Sequence, residues 1–348
     1  MKSVEIDKIG SATSPLALGR QILVAEHSAM PAAGDVVAVR ALSESVTYGN
    51  LELPTGRLAK INRNDILLGV LGKRRALKGF VGDVPDSVSP GDRLHLLNMG
   101  GVIGVCKGHH SSLSDAIEVE VIGLACDADG SILNISDNAL EPSHSLLPSA
   151  PVVLVAGTCM NSGKTVAAAE IIRQAAGSGL RVVGAKLSGI ACLRDTLNMQ
   201  DHGAFATASF LDCGLPSTVD GGDLAPMAKG ILNHLNELGP DLIVAELGDG
   251  IVGGYAVDSI LRDDEIKAAV TSFVFCASDY VGVIGGARVL EEMGIRIDVV
   301  AGSVTDSQMG EDFVQEHYGI KAGNARRNGR RLFELIKARM HTAEQVYA

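Results

Sequence analysis

No stretch of the 348 residues approaches the roughly 18–20 consecutive apolar residues that a membrane-spanning helix needs. The opening residues, Met1-Lys2-Ser3-Val4-Glu5-Ile6-Asp7, carry charges where a secretory leader would have an apolar core. The six cysteines are scattered without a CxxC pair, which argues against a disulfide framework and for reduced thiols. Positive charge is in deficit: 30 Lys and Arg against 41 Asp and Glu leave a formal net charge of -11. That excludes a broad nucleic-acid surface while leaving room for one local basic cleft. There is no internal repeat and no low-complexity tract. The expectation is a soluble, cytoplasmic protein with neither a membrane nor a nucleic-acid partner.

The chain is long enough for about two domains, and its 46% apolar residues suffice for sizeable cores. Residues 1–148 show short apolar runs punctuated by turn signals. Ala33-Gly34-Asp35 precedes Val36-Val37-Ala38-Val39, Asn64-Asp65 precedes Ile66-Leu67-Leu68, and Pro90-Gly91-Asp92 precedes Leu94-His95-Leu96. Further strands are expected at 102–106 and 117–123. Such spacing predicts a β-rich domain, a small barrel or a sandwich. Two clusters stand out. Lys73-Arg74-Arg75-Ala76-Leu77-Lys78 is the densest basic stretch of this half, either a solvated loop or a segment that meets an anionic substrate or covers the nucleotide. Cys106-Lys107-Gly108-His109-His110 offers three soft ligands in five residues, which fits a structural loop, a substrate loop or the start of a metal site. Residues 139–150, with two prolines and three serines, form the best linker.

From 149 onward the pattern becomes β/α alternation. Apolar runs at 151–156, 181–185, 241–245, 270–276 and 296–301 read as buried parallel strands. Helical segments are expected at 164–176, 224–238, 280–293, 308–317 and 325–340. The fold class is therefore α/β, with a parallel sheet, and ligands are sought at the carboxyl ends of the strands.

The first strand end carries Gly157-Thr158-Cys159-Met160-Asn161-Ser162-Gly163-Lys164-Thr165. Strand, glycine loop, Gly-Lys-Thr and helix together form the context of a phosphate-binding loop. Its N–H groups and the helix N-terminus would cradle the phosphates. Lys164 would reach the β- and γ-phosphates, and the Thr165 hydroxyl would coordinate Mg²⁺. Five residues separate Gly157 from Gly163, one more than usual. The second strand end carries Lys186, followed by Arg194, Asp195, Asp201 and His202, where Asp195 or Asp201 would bind Mg²⁺. The third, Leu242-Ile243-Val244-Ala245-Glu246, ends on an acid of Walker B form. Glu246 is the first choice for the metal and Asp249 the next. At the fourth end Asp279 reads as a helix cap. At the fifth, Thr305 and Asp306 are candidates for contact with the nucleotide base. The basic tail Arg326-Arg327-Asn328-Gly329-Arg330-Arg331 reads as a solvated helix start.

The form Gly157-Thr158, four residues, then Gly163-Lys164-Thr165 resembles the dethiobiotin synthetase and cobyrinic acid amidotransferase superfamily of P-loop NTPases. The resemblance continues in Gly184-Ala185-Lys186 and in Glu246 with its glycine-rich sequel, and spans about residues 151–310. It implies a Mg-nucleotide-dependent enzyme that phosphorylates a small carboxylate or carbamate, after which an attacking nitrogen displaces the phosphate. Lys164 and Lys186 would then stabilise the transferring phosphoryl group, with Glu246 as the third catalytic residue. Thr165, Glu246 and Asp195 or Asp201 would hold Mg²⁺. Gly157, Thr158, Asn161, Ser162, Gly163 and Thr305 would join Lys164 and Thr165 in binding ATP, or alternatively GTP. A homodimer is the implied assembly. The chain departs from the family at Cys159, where an acid is usual, and it lacks a glutamine-hydrolysing Cys/His arrangement after residue 310. Nucleotide-switch members of the class carry a signature lysine where this chain has Thr158.

The leading expectation is thus ATP-dependent activation of a small carboxylate, with the β-rich domain supplying substrate residues. The alternatives are a small-molecule kinase, and a nucleotide-dependent regulator or metal-delivery protein.

Overall fold

The computed structural model describes the backbone of residues 1–347 and the side chains through residue 338. Two compact units form. The first comprises residues 1–140 with 190–194 and 210–219; the second comprises 141–189, 195–209 and the chain from 220 onward.

The first unit is built from β1 (Lys2–Glu5), β2 (Lys8–Ile9), β3 (Gln21–Val24), β4 (Val36–Ala41), β5 (Asn50–Glu52) and β6 (Leu58–Lys60), then β7 (Ile66–Leu71), β8 (Arg74–Arg75), β9 (Phe80–Asp83), β10 (Arg93–Leu96), β11 (Val102–His109) and β12 (Glu118–Cys126). β12 pairs with β4, β4 with β7, β7 with β11, β11 with β10, and β10 with β12 again. Five strands therefore close a ring, which makes this a barrel and not a sandwich.

Its interior follows from alternation along each strand. Val37, Val39 and Ala41 of β4 meet Leu67 and Leu71 of β7, Leu94 and Leu96 of β10, and Val119 and Val121 of β12. A bulge between Val121 and Gly123 shifts the inward face from odd to even positions, so Leu124 joins the same core.

One turn device recurs before three strands. Gly34, Asn64 and Gly91 take left-handed φ of 92°, 74° and 92°. The following carboxylate accepts an N–H from three residues back. Asp35 bonds Ala32 at 2.7 Å, Asp65 bonds Asn62 at 2.6 Å and Asp92 bonds Ser89 at 2.7 Å. The Gly-Asp and Asn-Asp pairs are thus turn chemistry with a mechanism.

The second unit holds β13 (Val152–Gly157), β14 (Val182–Ser188), β15 (Ala206–Ser209), β16 (Leu242–Leu247), β17 (Val270–Cys276), β18 (Val299–Ala301) and β19 (Lys321–Ala322). They form one sheet in the order β15-β14-β16-β13-β17-β18-β19, and every pairing is parallel. The central strands β13, β14 and β16 are buried along their whole length, which is why they read as unbroken apolar runs.

The helices are α1 (Lys164–Gly177), α2 (Arg194–Asp201), α3 (Ala225–Asn236), α4 (Val257–Arg262), α5 (Asp264–Ala269), α6 (Tyr280–Glu291), α7 (Gln308–Tyr318) and α8 (Ala325–Tyr347), the last broken at Asn328. Ala168, Ile171, Ile172 and Ala175 of α1 share a core with Met199 of α2 and with Leu332, Phe333 and Ile336 of α8. The same core includes Val153 and Val155 of β13 and Val244 of β16, so burial at about 25 cal/mol per Å² of apolar surface holds α1 against the sheet. Among the described residues no helix is long and apolar enough to cross a membrane.

Candidate phosphate-binding site

β13 ends at Gly157 and α1 begins at Lys164, so the loop lies at the carboxyl end of the central strand. Its shape depends on small residues. A Cβ on Gly157 would lie 2.6 Å from both the Cys276 carbonyl and the Ser162 hydroxyl oxygen. Asn161 and Gly163 are left-handed, with φ of 63° and 103°. Neighbouring strand ends brace the loop: Thr158 N–H donates to Cys276 O at 3.0 Å, and Ser303 N–H donates to Ser162 O at 3.3 Å. The first N–H groups of α1 have no acceptor within the helix, and its dipole is positive at that end. Together they make a cradle for an anion.

The charged groups converge beside it. Lys164, 5% exposed, donates its Nζ to the Cys159 carbonyl at 2.8 Å. Burial pushes its ammonium below the ordinary lysine range, against the opposing pull of Glu246. Thr165 Oγ1 donates to Glu246 Oε1 at 2.9 Å, and Lys186 Nζ reaches the same oxygen at 2.7 Å. Lys186 also meets Asp195 Oδ2 at 2.6 Å. Burial disfavours its charge, but Asp195 and Glu246 outweigh that and hold the ammonium well above the usual lysine value.

Glu246 is 1% exposed, and its second oxygen, Oε2, is buried with no hydrogen-bond partner. The Ser162 hydroxyl is buried without a partner too. A carboxylate oxygen left bare in a buried site is costly unless something cationic completes it. A hard divalent cation fits: Mg²⁺ takes one or two protein oxygens and completes its shell with phosphate and water. Asp249, left-handed at φ 61°, accepts the Met160 N–H at 3.2 Å, tying the lengthened loop to the end of β16. Gly248 and Gly250 on either side lie against the carbonyls of Ser188 and Thr158, where a Cβ would clash.

Lys164, Thr165, Lys186, Asp195 and Glu246 are thus brought together, with Thr158, Asn161, Ser162 and Gly163 on the loop above them. Two expected residues are placed otherwise. Asp201 is exposed at the far end of α2 from Asp195; six residues of helix separate them by about 9 Å. Thr305 is fully buried, its hydroxyl donating to Gly302 O at 2.7 Å and accepting from Asn324 Nδ2 at 3.0 Å, so it braces its own loop.

The basic stretch of the first unit is exposed at Leu77 and Lys78, but its Arg74 is not solvated. Arg74 is buried, bonded to Leu97 O and to the Tyr48 hydroxyl, and Arg75 pairs with Asp83 at 2.5 Å. The Cys106, His109 and His110 side chains take local partners: Gly108 O at 3.6 Å, Asp115 at 3.2 Å and the Ser112 hydroxyl at 2.8 Å. Among the described residues no group of three or more His, Cys, Asp or Glu is placed to hold a metal by itself.

Two contributors escaped the sequence reading. Gly302, φ 87°, leaves room for the Ser162 carbonyl, and its Cα would sit 2.9 Å from a Cβ on Gly163. Its position just after a buried strand was the available signal. Cys276 lies at the end of β17, where burial pushes its thiol up to about 12.

No family model matches the chain, and no curated protein matches it by sequence. Among solved structures it is similar to chloroplast FtsY from Physcomitrella patens, at 14% identity and a TM-score of 0.37, over 54% of this chain and 62% of that one. It is similar to the signal recognition particle 54 kDa protein from Aeropyrum pernix K1 in complex with GDP, at 17% identity and a TM-score of 0.37, over 61% and 53%. A third is the cell division protein ftsY from Thermotoga maritima, at 15% identity and a TM-score of 0.37, over 57% and 71%. The chain thus spans less than two thirds of the length of the first and second of these.

Proposed function

We propose that the second unit is a Mg-nucleotide site and that the chain is an enzyme of ligase or synthetase type, activating a small-molecule carboxylate by phosphoryl transfer. The observation that carries this reading is Glu246. It is buried at a strand end, shares one oxygen between Thr165 and Lys186, and has its other oxygen bare. That is what a metal-binding acid beside a phosphate loop requires. Thr165 and Glu246 would hold Mg²⁺, with Asp195 nearby through Lys186. The ion would neutralise charge on the phosphates.

The remaining roles fall to this chain's own groups. Loop N–H groups and the α1 N-terminus bind the phosphates. Lys164, now resting on a carbonyl, turns to the phosphate oxygens; that contact favours the charge that burial disfavours. Lys186 stays protonated between its two carboxylates and presents a fixed positive charge to the transferring group. The carboxylate acceptor is drawn from the resemblance of the loop, Lys186 and Glu246 to the dethiobiotin synthetase superfamily; a regulator would use the same groups without an acceptor.

Calorimetry of Mg²⁺-dependent ATP and GTP binding, on the native protein and on Lys164→Ala, tests the site and identifies the base. Removing a charge-assisted contact should weaken binding by about 10–100-fold. Equal binding by the variant would rule the loop out. Phosphate release across a panel of small carboxylates then tests the reaction. Release only in the presence of a carboxylate is expected; a stable phosphorylated product would point to a kinase.

A further inference from the structure

The arginines after residue 325 do stand at an exposed helix start, and they also wall a trough. A trough of about 570 Å³ runs along α1 from Val166 to Arg173, bordered by Asn198 of α2, by His202 just after it, and by the first turns of α8 from Ala325 to Arg330. Its lining holds four guanidinium groups, Arg173, Arg326, Arg327 and Arg330, against a single carboxylate, Glu170. This occurs in a chain whose net charge is -11.

Glu170 is already committed, receiving Arg173 through two bonds of 2.8 and 2.7 Å. Arg327 is held at 3.3 Å by the buried Glu311. Arg326 touches Asp306 only at 3.8 Å, and Arg330 meets Glu334 at 3.1 Å on the exposed side, so both can turn inward. Beside the helix break at Asn328, Gly329 lies against the Glu170 carboxylate, which a Cβ there would push aside. That contact sets the first turns of α8 down on α1.

We infer that this trough is a second anion site, distinct from the phosphate loop, and that it takes a compact ligand bearing more than one phosphate. The volume lies within the range of small-molecule sites. Guanidinium forks match phosphate oxygens in pairs, which a flat surface patch of lysines does not. The trough extends about 10 Å along α1, from Val166 in its first turn to Arg173, by the rise of 1.5 Å per residue. Phosphates bound at the α1 N-terminus would not fill it. The inference stands on these residues alone and does not depend on the nucleotide reading.

The test removes the loop first. Inorganic tripolyphosphate without Mg²⁺ is titrated by calorimetry into Lys164→Ala, and into the same protein carrying Arg326→Ala and Arg330→Ala. Both arginines are exposed, and a thermal melt checks that each variant folds. Binding that persists in Lys164→Ala and weakens by about tenfold or more when the two charges go is the expected result. Binding absent from Lys164→Ala would overturn the inference, because the loop would then be the whole site. Binding unchanged by loss of the arginines would overturn it equally. Should the triple variant fail to fold, Arg330→Gln on the Lys164→Ala background gives the same comparison with a smaller expected loss, about threefold to tenfold.

Discussion

Two stretches of this chain concentrate polar chemistry within a few residues, and the structure uses them in opposite ways. In Cys106 to His110 each reactive side chain finds a partner nearby: Gly108, Asp115 or Ser112. At the end of the loop from Gly157 to Thr165, the Thr165 hydroxyl meets Glu246, which also takes Lys186, residues from strands about 20 and 80 positions further on. One buried carboxylate oxygen is left without a donor. Density of functional side chains in the sequence therefore separates the two poorly. What separates them is whether local hydrogen bonds exhaust the groups or leave a buried one unmet.

That contrast can be broken most sharply at Lys186. Its ammonium bridges two carboxylates, one of them fully buried. Lys186→Met should cost about 3–5 kcal/mol of stability in a denaturant melt, because it leaves uncompensated charge inside. A cost below about 1 kcal/mol would mean the cluster is solvated, like the Cys106–His110 stretch.

Arg74 is the first unit's counterpart. Its guanidinium holds a buried carbonyl and the Tyr48 hydroxyl. Arg74→Ala should destabilise by about 1–3 kcal/mol and leave phosphate-ligand affinity in the second unit unchanged. A loss of affinity at equal folding would assign that basic stretch a binding role after all.

Lys164 supplies a pH signature. Its folded-state value lies below the ordinary lysine range because of burial. Between that lowered value and the unfolded value of about 10.5, the unfolded chain binds more protons, so stability of the ligand-free protein rises with pH there. Phosphate binding favours the protonated form. Affinity should therefore fall as pH climbs through the folded value, with proton uptake measurable by calorimetry in two buffers of different ionisation heat. No uptake at alkaline pH would show that Lys164 does not meet the ligand.

The smallest effect belongs to His109 and His110. Alanine at either should change stability by no more than about 0.5 kcal/mol and leave zinc retention at background.

The limits of sequence reading follow the same physics. Strands β13, β14, β16 and β17 were legible because burial on both faces leaves an apolar run. β15 and β19 were not: Ala206–Ser209 is short and half polar, and Lys321–Ala322 is two residues at the sheet edge. The barrel strands were legible from their turns, but ring closure requires β10 to pair with both β11 and β12, which no pattern along the chain encodes. At the site, the loop and Glu246 could be named from spacing. The ambiguity between Asp195 and Asp201 arose because α2, with only Thr196 and Met199 buried, has too weak an apolar stripe to be read as a helix. Once it is a helix, the two acids sit at opposite ends. Thr305 was misplaced for a related reason: its hydroxyl is taken by Gly302 and Asn324, partners that only tertiary structure supplies.

The central claim is that the bare oxygen of Glu246 faces a metal ion beside bound phosphates. Its most direct test is a Mg²⁺ titration of nucleotide affinity in the native protein and in Glu246→Gln, which keeps the shape and removes the charge. Mg²⁺ should tighten binding in the native protein and do so at least about tenfold less in the variant. An equal Mg²⁺ effect in both would place the metal elsewhere and contradict the account.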